Sequence, residues 1–153
     1  MKNGRPVRAR CHIRSLPGVV RTEDRGETSY FYNPDDLFAR GTDFATIKAK
    51  DGQNDRASHL DRGGVWRLNM GVSRGAFVEL FGPPPARPTK GGVVEGPWDF
   101  TAADTLTPHP VYGWISWVAV SNPGRRTWVH CAPLLEDAHA RARSTFETRV
   151  RSA

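Results

Sequence analysis

The alternation of apolar and polar residues is strictest over residues 65–72. Every second residue there is apolar: Trp66, Leu68, Met70 and Val72. Arg67 and Asn69 lie between them, so a strand in this segment has one apolar face and one polar face. Ser73 is a suitable N-cap for a short helix over residues 76–81. The pattern therefore predicts a half-buried strand that leads directly into a helix.

The same pattern predicts three more strands and one long helix. The strands are expected over residues 26–32, 44–50 and 111–120. Residues 111–120 are apolar on both faces, which is typical of a strand in the middle of a sheet. Residues 127–149 carry an apolar stripe at helical spacing, formed by Leu135, Ala138, Ala142 and Phe146.

These elements predict a single α+β domain over residues 13–150. We expect a mainly antiparallel sheet whose central strand carries Trp114 and Trp117, with the long C-terminal helix packed on one face. Residues 82–97 interrupt the pattern, with five prolines and four glycines in sixteen residues, and predict an irregular loop. Residues 101–104 resemble a capping box and predict a short helical turn.

The positive charge of the chain lies at its two ends. The chain has 22 Lys and Arg against 16 Asp and Glu, a net charge of +6. Residues 1–14 contribute +5 and residues 125–153 contribute +3, so the remaining 110 residues carry −2. We interpret residues 1–12 as a basic, disordered tail. Such ends favour weak, non-specific DNA binding over specific nucleic-acid recognition, which is not expected.

The segment types that would place the chain in a membrane or outside the cell are not found in the sequence. No apolar run approaches the length of a spanning helix, and the basic N-terminus has no apolar core of a signal peptide. Cys11 and Cys131 are expected to be reduced. We therefore expect a cytoplasmic protein, monomeric or homodimeric, without a membrane contact and, because no cofactor motif is present, without a cofactor.

A candidate ligand groove follows from the polar residues that flank the predicted strands: Lys50, Arg67, Asn69, His109, Tyr112 and Trp114. Arg67 with Lys48 and Lys50 would make the groove basic and suit a carboxylate or a phosphate. The structural alternative is a solvated sheet face on which Arg67 pairs with Asp61 or Asp99.

Three further residue groups have both a functional and a structural interpretation. His109 is the one candidate catalytic residue, although it also suits a hydrogen bond that fixes the turn before the strand. Tyr112 and Trp114 share a face and could floor a small apolar pocket, whereas Trp66 and Trp117 belong in the core. Asp99 and Asp104 do not have ligand spacing even with His59 or His109, so no metal site is predicted.

Several motifs resemble a family of small bacterial proteins known as a domain of unknown function. The most specific of them lie at residues 99–101, Asp104, 108–113 and Trp117. The resemblance runs over residues 13–146 and implies no assigned activity. The order of elements is more distantly similar to the MmcQ/YjbR type of α+β domain, a similarity that concerns the fold alone.

Besides weak DNA binding through the chain ends, two functions from different classes remain open at this point. The first is a non-catalytic module that binds a small anionic ligand or a protein in the groove. The second is a small enzyme that uses His109 as general acid or base, with Arg67 or Lys50 holding an anionic substrate. In either case the loop over residues 82–97 is predicted to act as a flap over the groove.

Overall fold

Within residues 5–153, six strands form one antiparallel sheet, and three α-helices complete the fold. The computed structural model describes residues 5–153. The strands are β1 (Val19–Asp24), β2 (Glu27–Tyr32), β3 (Thr42–Lys48), β4 (Arg67–Gly71), β5 (Thr107–Pro108) and β6 (Trp117–Ser121). The helices are α1 (Val7–Arg14), α2 (Arg74–Phe81) and α3 (Arg125–Ser152). The strand order is β1-β2-β3-β4-β6-β5. The predicted single α+β domain with a mainly antiparallel sheet is confirmed.

Helix α3 packs along one face of the sheet through the predicted stripe. Leu135, Ala138 and Ala142 are fully buried, and Phe146 is almost so. The helix is 28 residues long and continues through Pro133. Arg141 joins it to the sheet by donating hydrogen bonds to the carbonyl oxygens of Gly71 and Asp43. The prediction of a long C-terminal helix on the sheet is therefore confirmed.

The strands alternate between the face under α3 and the opposite face. Leu68 and Met70 of β4 point into the core under α3, whereas Arg67 and Asn69 point to the other side. Cross-strand pairing extends this second face: Ser29 pairs with Thr46, Thr46 with Asn69, Glu27 with Lys48, and Lys48 with Arg67. The second face of the sheet is therefore lined by polar side chains over three adjacent strands.

The segment before the first strand is a helix, not a tail. Helix α1 covers Val7–Arg14 and buries Ala9 and Ile13, which lie four residues apart on one side. Its His12 ring packs edge-on against Trp128 at the start of α3. Residues 7–12, predicted to belong to a disordered tail, are therefore helical in the structure, because the buried Ala9 and Ile13 hold this arginine-rich helix against the core. Residues 1–4 lie outside the described residues.

The predicted strand over residues 111–120 is half as long as expected. Strand β6 begins at Trp117, and Gly113–Ile115 form a turn of 3-10 helix. Two features produce the turn: the His109 side chain accepts the N–H groups of Val111 and Tyr112, and Ser116 adopts a left-handed conformation with φ 71°. The strand lies between β4 and the short edge strand β5, so it is interior but one place from the edge.

The loop over residues 82–97 packs against the outer side of that turn. Val94 is buried and donates its N–H to the carbonyl of Pro110, and the Arg87 guanidinium lies 4.6 Å from the centre of the Trp114 ring. The loop contributes no residue to the cavity described below. The prediction that it forms a flap over the groove is therefore wrong, since the loop supports the turn from behind.

The predicted capping box over residues 101–104 does not open a helix. Asp104 instead adopts a left-handed conformation and accepts the N–H of Gly124, the N-cap of α3, at 2.6 Å. A carboxylate is favourable there because the helix dipole is positive at this end.

The two cysteines, Cys11 and Cys131, are both free. Within residues 5–153, no helix combines the length and apolar character needed to cross a membrane.

Candidate functional site

A cavity of 590 Å³ lies over the polar face of the sheet. Its floor comes from β2 and β3, one wall from the segment after β3, and the other wall from the turn after β5. The charged and aromatic residues that line it are Glu27, Arg40, Asp43, Lys48, Asp55, His109, Tyr112 and Trp117. The volume lies within the roughly 300–1,000 Å³ that is typical of small-molecule sites.

Arg67 lies directly beneath the cavity and is fully buried. Its guanidinium donates to both carboxylate oxygens of Asp55, to Ser58 Oγ at 2.9 Å and, through Nε, to Asn69 Oδ1 at 2.7 Å. A buried arginine requires such compensation, because an unpaired charge in the interior is very costly. The prediction of a solvated face on which Arg67 pairs with Asp61 or Asp99 is therefore wrong: the partner is Asp55 and the face is buried.

Asn69 carries the hydrogen-bond network from β4 to the neighbouring strand. Its side-chain amide donates to Thr46 Oγ1 at 2.8 Å, while its oxygen accepts from Arg67. Asn69 is buried and does not line the cavity, but Thr46 does. The amide thus holds both Arg67 and a cavity-lining hydroxyl in fixed positions.

His109 forms the end of the cavity and is held by its own turn. Its Nδ1 accepts the backbone N–H groups of Val111 and Tyr112 at 3.0 and 3.1 Å. These two contacts occupy one ring nitrogen, and the other, Nε2, faces the ion pair beneath the cavity. That atom lies 3.2 Å from Arg67 Nη2 and 3.9 Å from Asp55 Oδ2. The structural interpretation of His109 as a residue that fixes the turn is thus directly visible.

The ionisable groups around Arg67 have shifted pKa values. Burial, followed by the adjacent Arg67 charge, lowers the pKa of His109 from 6.5 to about 3, against the opposing effect of Asp55. Burial raises the pKa of Asp55, but the hydrogen bonds and charge of Arg67 outweigh it and hold the pKa below 3.8. At neutral pH the site therefore contains a neutral imidazole and an ionised Asp55–Arg67 pair.

The mouth of the cavity is apolar and exposed. Tyr112 is 49% exposed and Ile115 is 47% exposed, and both line the cavity together with Trp117. The Tyr112 ring lies against the His109 ring with centroids 5.1 Å apart. The prediction that Trp66 belongs in the core is confirmed, whereas Trp117 lies at the cavity instead of in the core.

Two of the predicted groove residues lie elsewhere. Trp114 does not line the cavity. It lies within the 3-10 turn Gly113–Ile115, and its ring contacts the guanidinium of Arg87 instead. Lys50 follows the end of β3 and lines a different cavity, so it does not join Arg67. Lys48 does line the site, with its Nζ 3.9 Å from Glu27 Oε1. The groove is therefore not basic, contrary to the prediction, because Lys50 is not part of it and both Lys48 and Arg67 have carboxylate partners.

Sequence reasoning missed Asp55 and Ser58, the partners that neutralise Arg67. Both lie in the irregular segment between β3 and β4, where no periodicity indicates which residue turns inward.

The acidic residues considered as metal ligands have other roles. Asp99 is exposed and accepts hydrogen bonds from the backbone N–H and the hydroxyl of Thr101. Among the described residues, no three His, Cys, Asp or Glu side chains are grouped so that they could hold a metal ion.

The comparison with known protein families assigns the chain to one of them. Residues 6–151 match the family of unknown function DUF6194, and the chain belongs to that family. No curated protein matches the chain, and no solved structure matches it. The distant similarity to the MmcQ/YjbR type of domain is not confirmed by these comparisons. The match includes helix α1, which agrees with its place in the folded domain.

Proposed function

We propose that this DUF6194 protein is a non-catalytic binding module whose cavity takes a small polar molecule with several hydroxyl or amino groups and one apolar face. A monosaccharide or an aminosugar has this chemistry. The observation that carries the proposal is the pairing of a polar cavity floor, fixed by the Asp55–Arg67–Asn69 network, with an exposed Tyr112 at the mouth.

The charge of the cavity supports a ligand that is not anionic. Three carboxylates line it, those of Glu27, Asp43 and Asp55, against the two cations Arg40 and Lys48. The buried Arg67, bonded to Asp55, brings the total to zero, so the cavity has no excess positive charge. Lys48 faces Glu27 and the buried Arg67 is bonded to Asp55, while the Arg40 guanidinium lies over the Phe31 ring, 5.1 Å from its centre. Carboxylates accept hydrogen bonds well from hydroxyl and ammonium groups. The anionic ligand expected from the sequence depended on a basic groove, and we therefore propose a hydrogen-bond donor instead.

The shape of the mouth supports a ligand with one flat apolar face. Tyr112, Trp117 and Ile115 contribute apolar surface on one side, opposite the polar floor. An aromatic ring at such a position buries the apolar side of a ligand while its polar edge reaches the floor. A floor that is already hydrogen-bonded internally does not have to reorganise on binding, which lowers the cost of recognition.

The same geometry gives little support to an enzyme that uses His109. A general acid or base works best when its pKa lies near the working pH, and the pKa of His109 is about 3. Protonation at Nδ1 would also break two hydrogen bonds to the turn and place a second positive charge beside Arg67. We therefore favour a structural and binding role for His109.

Binding is tested by titrating isotope-labelled protein with four probes and following amide chemical shifts. The probes are glucosamine, N-acetylglucosamine, glucose and glucuronate. We expect saturable shifts at the cavity residues, with glucosamine binding at least as well as glucose and glucuronate binding most weakly. Tyr112→Ala is expected to weaken binding about three- to ten-fold through the lost ring contact.

Leu37→Ala is the matched control, because Leu37 is a similarly exposed apolar residue outside the cavity lining. It should leave the affinities unchanged. If glucuronate bound most tightly of the four probes, the proposal that the cavity disfavours anions would be contradicted, and an anionic ligand would again be favoured. Absence of saturable shifts with all four probes at millimolar concentration would refute the sugar-like ligand class.

A further inference from the structure

A second cavity, of 450 Å³, lies beside α1 at the end of the sheet and shares no lining residue with the first. It is bounded by α1, by the chain that follows β3, and by the segment over residues 60–66. Three cationic side chains line it, those of Arg10, Lys50 and Arg62. We propose that this cavity binds the phosphate group of a small phosphorylated molecule.

Two of the three cations, Arg10 and Arg62, are positioned by neutral groups. Arg10 Nη1 donates to Thr28 Oγ1 at 3.1 Å, which leaves Nε and Nη2 of the guanidinium available. Arg62 is held by three backbone carbonyl groups, with distances of 2.9 Å to His59, 3.0 Å to Ser58 and 3.2 Å to Thr101. These bonds fix the two guanidinium groups without placing a carboxylate in contact with either of them.

The two cavities differ in how many of their cations are in contact with carboxylates. Within residues 5–153, none of Arg10, Lys50 and Arg62 has a carboxylate oxygen within 4 Å, whereas Arg67 and Lys48 each do. Two acids, Glu23 and Asp61, also line the second cavity, so its lining carries a net charge of +1. Glu23 faces Arg21, and Asp61 accepts the N–H of Asp51. Among the described residues, the cavity therefore has one positive charge in excess and three cations that are not in contact with a carboxylate.

The wall opposite α1 is open to close approach by a ligand. Gly63 and Gly64 line the cavity, and no atom lies within 4 Å of the position where either would carry a side chain. Gly64 has φ +77°, a conformation that favours glycine over other residues. Backbone amides without a side chain to shield them are well suited to contact phosphate oxygens.

The volume indicates more than a free phosphate ion. Guanidinium groups match the geometry of phosphate oxygens, and Lys50 adds a compact positive charge. The Lys50 side chain packs across Gly26, where its Cγ lies 3.1 Å from the position of an added Cβ, so glycine at 26 leaves room for it. The remaining space would hold the body of a small phosphorylated molecule.

The test uses inorganic phosphate, pyrophosphate and glucose 6-phosphate, titrated into the labelled full-length protein. We expect saturable shifts at Arg10, Lys50 and residues 60–66, with the two larger probes tighter than phosphate. Lys50→Gln should weaken pyrophosphate binding about ten-fold, as is typical when one charged hydrogen bond is lost. Lys90→Gln, which removes an exposed lysine outside the cavity, is the matched control.

The result separates this site from the first cavity. Tyr112→Ala should leave pyrophosphate binding unchanged, because the two cavities share no residue. Equal weakening by Lys50→Gln and Lys90→Gln would show only general attraction to a basic protein and would overturn the proposal. Shifts confined to the basic chain ends, or no saturable shift with any of the three probes, would overturn it as well.

Discussion

The two faces of strand β4 are equally buried and differ in every other respect. Leu68 and Met70 are completely buried under α3, in contact with an apolar core. Arg67 and Asn69, on the opposite face, are each only 1% exposed but are surrounded by polar groups. The apolar face gains stability from surface removed from water. The polar face gains little, because each buried charge must first lose its hydration.

The burial of charged groups on the polar face of β4 suggests a role for that face other than stabilising the fold. A buried ion pair is often no better for stability than apolar residues of the same size. The Asp55–Arg67 pair lies under an open cavity, where Asp55 is one of the lining residues. This arrangement supports the proposal that the polar face is the ligand-binding side of the sheet, while the apolar face stabilises the fold.

The largest expected effect comes from removing one half of the buried ion pair. Asp55→Ala leaves Arg67 charged and buried without its carboxylate, so we expect the free energy of unfolding to fall by about 3–5 kcal/mol. Chemical denaturation measures this change. The double variant Asp55→Leu with Arg67→Met should recover most of the loss, since it removes both charges.

Asp24→Ala is the control, because Asp24 is highly exposed and lies 4.0 Å from Arg25. Its effect should stay within about 0.5 kcal/mol. A loss from Asp55→Ala no larger than this would mean that the pair is not buried as described. A double variant as unstable as the single one would show that the charges themselves stabilise the fold.

Leu68→Ala makes the matching change on the apolar face. The cavity that it leaves in the core should lower the free energy of unfolding by about 2–5 kcal/mol. The folded variant should bind sugar probes as the unaltered protein does, because Leu68 lies on the opposite face from the cavity. A loss of probe affinity in a variant that is still fully folded would contradict the division between the two faces.

The pH dependence of stability separates His109 from the rest of the polar face. Below pH 6.5 the unfolded chain takes up a proton on His109, while the folded protein does not until about pH 3. The free energy of unfolding should therefore decrease as the pH falls through this window, by about 1.4 kcal/mol per pH unit. Asp55, whose folded pKa lies below 3.8, adds a further loss only below that pH.

His109→Asn is the variant that isolates this contribution. The Asn side-chain oxygen can accept the same two turn N–H groups that Nδ1 accepts, but the side chain does not titrate. Denaturation between pH 6.5 and 4.5 should show a flatter profile than the unaltered protein. His130→Asn, at an exposed position on α3, should keep the original slope. Equal slopes in all three proteins would contradict a buried, neutral His109.

The local patterns predicted the apolar face well and the polar face only in part. Alternation placed Leu68 and Arg67 on opposite sides, and helical spacing identified Leu135 and Phe146, because these depend only on near neighbours in the sequence. The Asp55 partner of Arg67 was not predictable, since it lies 12 residues away in a segment without periodicity. Tertiary contacts, not spacing, decide such a pair.

The turn at residues 113–115 and helix α1 were missed for the same reason. Each depends on a few side-chain contacts that the pattern of apolar residues along the sequence does not reveal. The turn at residues 113–115 depends on His109 accepting two backbone N–H groups, so an apolar run resembled a continuous strand. Helix α1 has only two buried residues, Ala9 and Ile13. Two apolar residues four apart in an arginine-rich segment are too few to give a clear helical pattern. The local sequence was in both cases compatible with more than one structure.

The smallest expected effect concerns the loop over residues 82–97 that supports the turn. Arg87→Ala removes the guanidinium from the Trp114 ring, a contact typically worth about 0.5–1 kcal/mol at exposed sites. We expect a loss of that size in the free energy of unfolding, together with faster amide exchange at residues 111–115. Probe affinity in the first cavity should change less than two-fold, because the loop does not line it. Arg56→Ala, at an exposed position away from Trp114, should change neither quantity. A strong loss of sugar binding in Arg87→Ala with unchanged stability would instead mean that the loop reaches the ligand, and would restore the role of a flap.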